Sequence, residues 1–369
     1  MSKTDGRTAA VLAGVVAGKL KKKHGVNVLT TAAEATATEV QYIPTGVLEL
    51  DCALGGGFPA GRVNVLYGHK SSCKSTVLLK TISQAQQLCA TCFRRHDEGE
   101  EGVCKNYRES VVAYLDVEGT FDKKWAERHG VDNARLLFNR PEYAEQAIDV
   151  SDALLRSGDC DMICIDSIAF LSTAKEQEES AEKLHVGAQA RLMSGGIKKF
   201  TAALNWLANE HQGRKPTIML INQIRMKIGL MFGNPETQPG GLSHGFAAST
   251  ETLFRPGKYA MDEATGRPMY ADFHFKVDKN KTSVPKVEGD FRMALVDTET
   301  KKNGSVMDEE FIAKVSEKYG VLTRKGGGGI ITFHGKSFKS MEAVQQALES
   351  DIALHKVASD TVRAILLAL

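Results

Sequence analysis

One short stretch of glycine, serine and lysine residues predicts a phosphate-binding loop. Its members are Gly68, His69, Lys70, Ser71, Ser72, Cys73, Lys74, Ser75 and Thr76. A β-prone run precedes it at 62–67, and a run with helical spacing follows it at 77–88. In a strand–loop–helix unit of this kind, backbone N–H groups at the start of the helix converge on phosphate oxygens. We expect Lys74 to reach the β- and γ-phosphates and Ser75 to bind Mg²⁺.

Cys73 is the residue of this loop that departs from the motif, which usually has a second glycine at that position. Glycine is favoured there because it tolerates a positive φ and close backbone approach. Cysteine is small, so the prediction of phosphate binding stands. The alternative is a glycine- and serine-rich turn that happens to contain a lysine.

Short apolar runs at 111–115, 161–166 and 218–221 are separated by helical patterns, which predicts an α/β fold with a mostly parallel central sheet. In such a sheet the chemistry lies at the carboxyl ends of the strands. We therefore expect the polar residues that end these runs to lie beside the phosphate loop.

Each of these strand ends has a predicted role. Asp166 would belong to the Mg²⁺ shell. Glu118 would orient or deprotonate an attacking water, with Asp116 as its rival. Gln223 would sense the γ-phosphate and signal its presence to the segment that follows.

A cysteine-rich insertion, residues 89–108, separates the phosphate-loop helix from the Glu118 strand. Cys89, Cys92, His96 and Cys104 are four soft ligands in one compact loop, a set that suits tetrahedral Zn²⁺. The insertion has almost no apolar residues, so a metal would supply its folding free energy. The alternatives are a flexible acidic loop with reduced thiols, or a redox-active Cys-x-x-Cys.

Composition excludes several other classes of protein. The chain has 369 residues, of which 42% are hydrophobic and 25% charged, and no apolar run long enough to cross a membrane. We expect a cytoplasmic protein without a membrane partner. The formal net charge is +2, so nucleic acid would have to bind a local patch. Seven cysteines without an export signal argue against a disulfide framework.

Three domains are predicted along the chain. Residues 1–40 would form an N-terminal helix and linker, residues 41–303 an ATPase core of alternating strands and helices, and residues 304–369 a small C-terminal α/β unit. Within the core, residues 224–241 mix cations, apolar residues and glycines without a period. A long loop of this kind is usually functional, and its composition suits single-stranded nucleic acid.

Residues 221–237 closely resemble the second DNA-binding loop of the RecA family of recombinases, and the resemblance extends from about residue 45 to about residue 322. It implies a RecA-type core that binds ATP and Mg²⁺, coats single-stranded DNA as a helical homo-oligomer, and pairs it with homologous duplex DNA. The implied biology is recombination and repair of DNA damage, including the SOS response. The rivals are a ring-forming RecA-like DNA motor and a hydrolysis-deficient protein that coats single-stranded DNA.

The resemblance also implies roles for individual residues. Glu118 is the general base, Asp122 contacts adenine, and Phe246 couples neighbouring subunits. Lys279 and Lys281 would reach across the subunit interface and stabilise transition-state charge. The residues implied in DNA binding are His185, Val186, Gly187, Arg191, Ser194, Lys198, Arg225, Met226, Lys227, Ile228, Met231, Gly240 and Gly241.

Several positions depart from the family pattern. Besides Cys73, Lys70 stands where the family usually has glutamate, and Leu242 and Gly245 replace polar or basic residues after the second loop. The zinc-ligand insertion has no counterpart in typical members. These departures fit a divergent member of the family, such as one encoded by a phage.

Overall fold

The computed structural model describes residues 12, 14–18, 29, 40–96, 104–178, 187–210, 214–226, 236–241, 243–324 and 329–368. Within the predicted N-terminal helix, residues 14–18 are helical. The remaining helices are α1 (Leu48–Leu54), α2 (Lys74–Gln86), α3 (Lys123–Arg128), α4 (Ala144–Ser157), α5 (Ala174–Glu178), α6 (Ala188–Glu210), α7 (Ser243–Ala247), α8 (Glu309–Lys318), α9 (Met341–Ser350) and α10 (Ile352–Leu367).

The strands of the described residues form one nine-stranded sheet, one three-stranded sheet and two two-stranded sheets. They are β1 (Tyr42–Ile43), β2 (Phe58–Pro59), β3 (Val63–Gly68), β4 (Val112–Asp116), β5 (Leu136–Asn139), β6 (Met162–Asp166), β7 (Thr217–Gln223), β8 (Arg225–Met226), β9 (Glu236–Thr237), β10 (Thr250–Met261), β11 (Pro268–Asn280), β12 (Glu288–Ala294), β13 (Val306–Met307), β14 (Leu322–Arg324), β15 (Ile331–Phe333) and β16 (Lys336–Phe338).

Among the described residues, a nine-stranded sheet with the order β13-β12-β11-β10-β3-β7-β6-β4-β5 forms the centre of the molecule. The pairs from β10 through β5 are parallel, which confirms the predicted α/β fold with a mostly parallel sheet. Strands β4 and β6 are buried along their whole length, as expected for apolar strands covered on both faces.

The expected alternation of strands and helices up to about residue 300 is wrong beyond residue 250. There, β10, β11 and β12 follow one another as antiparallel neighbours. In β12 buried and exposed residues alternate, because one face packs on the core and the other meets solvent. This period-2 pattern identifies an antiparallel extension and not another strand–helix unit.

Successive residues of the central strands point into two different cores. Leu66 of β3 packs in a cluster with Leu78 and Ile82 of α2. Its neighbour Val65 packs in a second cluster with Phe200 of α6 and Leu155 of α4. Since side chains alternate across a strand, α2 lies on one face of the sheet and α4 and α6 lie on the other.

The C-terminal part packs around a third cluster. Ile312 of α8, Phe333 of β15 and Leu348 of α9 are buried together in it. Strand β13 lies beyond the predicted domain boundary at 303 and still pairs with β12 of the central sheet; the division itself stays a prediction. In the part of the chain that the structure describes, no helix has the length and apolar character needed to cross a bilayer.

Candidate active site and nucleic-acid interface

The ends of four neighbouring strands bring the predicted catalytic groups to one edge of the sheet. In the order β3-β7-β6-β4, these strands run parallel, so their carboxyl ends lie side by side. Lys74, Gln223, Asp166 and Glu118 each lie at or just after one of these ends. This is the edge at which ligands bind in parallel α/β sheets.

The phosphate loop, residues 68–76, turns the end of β3 into the start of α2. Lys74 is the first residue of α2 and is buried. Its Nζ donates to the backbone oxygen of His69 at 2.7 Å, to that of Gly68 at 3.3 Å and to Ser72 Oγ at 3.2 Å. Burial lowers the pKa of this amine. The ammonium thus lies inside the loop, where phosphate oxygens can replace these acceptors.

Cys73 has the backbone conformation for which glycine is favoured. Its φ is +69°, and Ser71 in the same loop has a φ of +58°. The Cys73 side chain packs against the main core, with Sγ 3.9 Å from Sδ of Met293. Burial raises the pKa of its thiol to about 12. Cys73 thus has a left-handed backbone conformation that costs about 1–2 kcal/mol in a residue other than glycine. Its small side chain is packed against the core in this conformation.

Ser75 and Asp166 form an oxygen-donor pair next to the loop. Ser75 Oγ donates to Asp166 Oδ2 at 2.7 Å, and the hydroxyl of Tyr114 donates to the same oxygen at 2.7 Å. Burial raises the pKa of Asp166 to about 6, and these hydrogen bonds partly oppose the rise. A hydroxyl and a carboxylate are ligands that Mg²⁺ prefers, so the residues fit this ion. Tyr114 was not predicted, because a tyrosine inside an apolar strand resembles an ordinary core residue.

Glu118 and Gln223 are in direct contact. Gln223 Nε2 donates to Glu118 Oε1 at 2.8 Å, and Ser167 Oγ donates to the same oxygen at 2.6 Å. The predicted base and the predicted sensor, which are far apart in sequence, therefore share one hydrogen bond.

Asp116, the rival base, has a different environment. It is buried and accepts hydrogen bonds from the backbone N–H groups of Thr120 and Phe121 at 3.0 and 3.2 Å. Its Oδ2 also accepts from Arg140 at 2.8 Å. Both carboxylate oxygens of Asp116 are therefore engaged in hydrogen bonds that stabilise the turn after β4. This environment favours Glu118 over Asp116 as the group that activates water.

The other residues predicted to contact nucleotide or a neighbouring subunit make local contacts. Asp122 is exposed and caps α3 through the backbone N–H of Trp125. Lys279 Nζ donates to the backbone oxygen of Gly245 at 2.5 Å, and Lys281 Nζ lies 3.5 Å from that of Phe246. Phe246 is 75% exposed. Such an arrangement leaves the lysines and the aromatic ring at the surface, where a neighbouring subunit can meet them.

The predicted DNA-binding segments meet at a one-turn 3₁₀ helix, Ile168–Phe170, that follows β6. Gln189 of α6 donates to the backbone oxygen of Ile168 at 3.0 Å, and Arg225 of β8 donates to that of Ala169 at 3.1 Å. A Cβ added to Gly241 would lie 3.1 Å from that of Ala190. Both segments therefore pack next to the strand that carries Asp166.

The structure describes only some of the residues implied in DNA binding. Gly187, Arg191, Ser194 and Lys198 lie at the start of α6 or along it, and Arg191 and Lys198 are exposed. Arg225 and Met226 form β8, which pairs with β9. Gly240 and Gly241 follow β9 with φ values of +84° and +75°. The predictions for His185, Val186, Lys227, Ile228 and Met231 lie outside the described residues.

A polar contact that sequence reasoning missed joins the phosphate loop to β9, at the end of the predicted second DNA-binding loop. Glu236 of β9 accepts from Arg255 Nη2 at 2.7 Å, and its other oxygen lies 3.0 Å from His69 Nε2. Arg255 Nη1 lies 3.1 Å from the same imidazole nitrogen. These side chains come from three separate stretches of the chain, and no local pattern connects them.

The predicted zinc ligands lie at the other end of α2. The Sγ atoms of Cys89, Cys92 and Cys104 are within 4.8 Å of one another. His96 Nε2 lies 3.0 Å from Cys92 Sγ. The three cysteines are thus brought together, His96 contacts one of them, Cys92, and zinc binding itself stays a prediction.

Comparison with known proteins gives one consistent family. Residues 12–98 and 102–299 match the model of the RecA N-terminal domain. Protein RecA of Francisella philomiragia is 34% identical over 312 residues, which cover 84% of this chain and 76% of that protein. Protein RecA of Cutibacterium acnes is 35% identical over 310 residues, which cover 84% of this chain and 78% of that protein.

Proposed function

The chain belongs to the RecA family, and from that premise we propose that it is a DNA-dependent ATPase whose nucleotide site controls its DNA-binding loops. Proteins of this family act in DNA recombination and repair through strand exchange. They bind ATP, Mg²⁺ and single-stranded DNA and associate with themselves into filaments. The pairing of the bound strand with a homologous duplex is the further step that we propose for this chain.

The observation that carries the proposal is the hydrogen bond between Gln223 and Glu118 at 2.8 Å. Glu118 would accept the proton of the attacking water, while Lys74 would bind the β- and γ-phosphates. Ser75 and Asp166 would hold Mg²⁺, which neutralises phosphate charge when it is bound. The γ-phosphate would compete with Glu118 for the Gln223 amide, so nucleotide occupancy would change the position of the residue that leads into β8.

Two sets of contacts support coupling between nucleotide and DNA. Arg225 and Gln189 bind the turn at Ile168–Phe170, which directly follows the Asp166 strand. His69 in the phosphate loop lies 3.0 Å from Glu236 at the far end of the second segment. A ligand that moves the phosphate loop or β6 would therefore shift the populations of the DNA-binding loops.

Assembly would complete the site. Lys279 and Lys281, which bind carbonyl groups beside Phe246, would meet the nucleotide of a neighbouring subunit and stabilise charge in its transition state. Head-to-tail contacts of this kind do not close on themselves and give helical filaments. Asp122, exposed at the start of α3, would contact the adenine ring.

Further parts of the proposal concern cofactors and cellular setting. Zn²⁺ at Cys89, Cys92, His96 and Cys104 is proposed as an additional bound ion that does not depend on the ATPase assignment. A role in the SOS response and a cytoplasmic location are proposed from the resemblance to the family, and the ATPase mechanism does not depend on either.

The test is ATP hydrolysis with and without single-stranded DNA at two salt concentrations. We expect DNA to stimulate turnover and the stimulation to fall at higher salt, because counterions compete for the DNA phosphates. Turnover that is indifferent to DNA would point to another RecA-like motor. Absence of turnover with nucleotide-dependent DNA binding intact would favour the coating protein, for which the unusual Cys73 is the supporting observation.

A further inference from the structure

The cysteine cluster in the connection between α2 and β4 has no part in the proposed ATPase cycle. Three Sγ atoms lie within 4.8 Å of one another, and His96 Nε2 lies 3.0 Å from Cys92 Sγ. With Zn–S bonds of about 2.3 Å and a Zn–N bond of about 2.0 Å, the ligand atoms of a tetrahedral site are about 3.5–3.8 Å apart. The three sulfurs are already close to these spacings, and His96, which contacts Cys92, would complete the site by turning toward Cys89 and Cys104.

The backbone of the first arm, residues 89–96, folds around the sulfur of Cys89. The backbone N–H of Thr91 points at this sulfur at 3.4 Å, and the N–H of Phe93 donates to the Cys89 carbonyl at 2.9 Å. Phe93 has a φ of +57°, and its side chain packs against the main core. The turn is therefore held in place on one side by that core.

The second arm, residues 104–109, lies against the first. The N–H of Ala90 donates to the backbone oxygen of Arg108 at 2.8 Å, and Thr91 Oγ1 donates to that of Asn106 at 2.7 Å. The rings of His96 and Tyr107 meet edge to face with centroids 5.7 Å apart. One ligand of the cluster, Cys104, comes from this arm and three come from the first, so a bound ion would cross-link the two.

Both arms are also attached to the core of the protein. Arg95 of the first arm hydrogen-bonds to Gln84 of α2, and Arg108 of the second forms an ion pair with Asp161, the residue before β6. Ser110 Oγ donates to the backbone oxygen of Leu88 at 3.0 Å. A rigid connection here would therefore fix the end of α2 relative to the starts of β4 and β6.

Apolar packing supplies little stability to the arms themselves. Tyr107 is 50% exposed, and among the residues at 89–96 and 104–108 that the structure describes, Ala90 and Phe93 bring apolar groups toward the interior besides the ligands. A redox disulfide between Cys89 and Cys92 would not explain why Cys104 lies close to both sulfurs or why His96 contacts Cys92. All seven cysteines are free thiols. A metal ion accounts for all four side chains at once.

We propose that Cys89, Cys92, His96 and Cys104 bind one Zn²⁺ as a closed structural site that cross-links the two arms. Four protein ligands leave no coordination position for a substrate, so the ion acts on stability and not on chemistry. The site lies at the end of α2 opposite Lys74, which separates it from ATP hydrolysis.

The first experiment measures the zinc content of the full chain, purified under reducing conditions without a metal-binding tag. We expect about one zinc ion per chain, and near zero in Cys104→Ser, because a structural site needs all four ligands. Cys52→Ser, outside the insertion, is the matched control and should keep its zinc. His96→Ala should likewise lose its zinc, and His96→Cys should restore it, because a thiolate also ligates zinc. Wild-type protein that stays free of zinc after zinc is added would overturn the proposal.

The wild-type protein also gives an answer if Cys104→Ser does not fold. Removal of zinc by a chelator should lower the Tm by at least a few degrees, which corresponds to a loss of about 1–2 kcal/mol in a chain of this size. Added Zn²⁺ should reverse the shift and Mg²⁺ should not. A Tm that does not respond to zinc removal, or a Cys89–Cys92 disulfide in the purified protein, would contradict the structural site. ATP hydrolysis measured on the same samples separates this result from a failure of the proposed activity.

Discussion

The two ends of α2 carry sites that are built in opposite ways. At the phosphate-loop end, Lys74 is joined by Asp166, Glu118 and Gln223, which come from three strands distant in sequence. At the other end, the candidate zinc ligands come from one short insertion. The first set is held by burial and by hydrogen bonds to neighbouring strands. The second set has few apolar contacts and would be held by the ion that it binds.

This difference shows why the phosphate loop can tolerate an unusual residue. Cys73 adopts a positive φ, yet the loop is held by buried contacts on several sides. The described parts of the cysteine-rich arms contact the core on one side only through Phe93 and a few polar bonds, so loss of one ligand there should have a large effect. Variants that change one end of α2 and leave the other intact test whether the two sites are independent.

The largest expected effect is that of Lys74→Ala on ATP hydrolysis. Loss of a positioned charge on the transferring phosphate should lower turnover by at least about 100-fold. Phosphate release in the presence of single-stranded DNA measures it, and the zinc content should remain that of the wild type. Lys314→Ala removes an exposed lysine of α8 and serves as the control. Full turnover in Lys74→Ala would contradict the assignment of the nucleotide site.

A smaller effect is expected for Glu236→Gln. This change removes the charge that pairs with Arg255 at 2.7 Å and meets His69 at 3.0 Å. We expect the stimulation of hydrolysis by DNA to fall about five-fold, the lower range for coupling between two sites, while hydrolysis without DNA stays nearly constant. Glu288→Gln removes another ion-paired carboxylate, on β12, and should leave the stimulation unchanged. Equal stimulation in Glu236→Gln and the wild type would show that this contact does not transmit the signal.

The smallest effect is expected for Cys73→Gly on stability. Glycine relieves about 1–2 kcal/mol of left-handed backbone strain, and loss of the packed thiol costs about 1 kcal/mol in apolar burial. The two terms oppose each other, so the Tm should change by less than about 3 °C. A thermal melt compares this variant with Cys104→Ser, which should be much less stable. A large drop in the Tm of Cys73→Gly would mean that its thiol makes a contact essential to the loop.

Local sequence patterns predicted much of the arrangement at the carboxyl edge of the sheet, and its role in nucleotide binding stays a prediction. The strand–loop–helix context of Lys74 was correctly predicted, and the rule for parallel sheets brought Glu118, Asp166 and Gln223 to the same edge. The antiparallel run β10–β12 was missed, although the period-2 alternation along β12 is the signal that indicates it. Tyr114 was missed because its hydroxyl partner, Asp166, lies on the neighbouring strand.

The amino-acid sequence alone was enough to find residue types at the required spacing, since motifs such as the phosphate loop and Cys-x-x-Cys are properties of one short stretch. Which distant residues touch became known from the folded chain. It joined His69 to Glu236 and Arg255, bound Asp116 to the turn after β4, and placed Lys279 beside Phe246. These contacts depend on strand order and register, which arise from packing of the whole chain and have no signal in any local window.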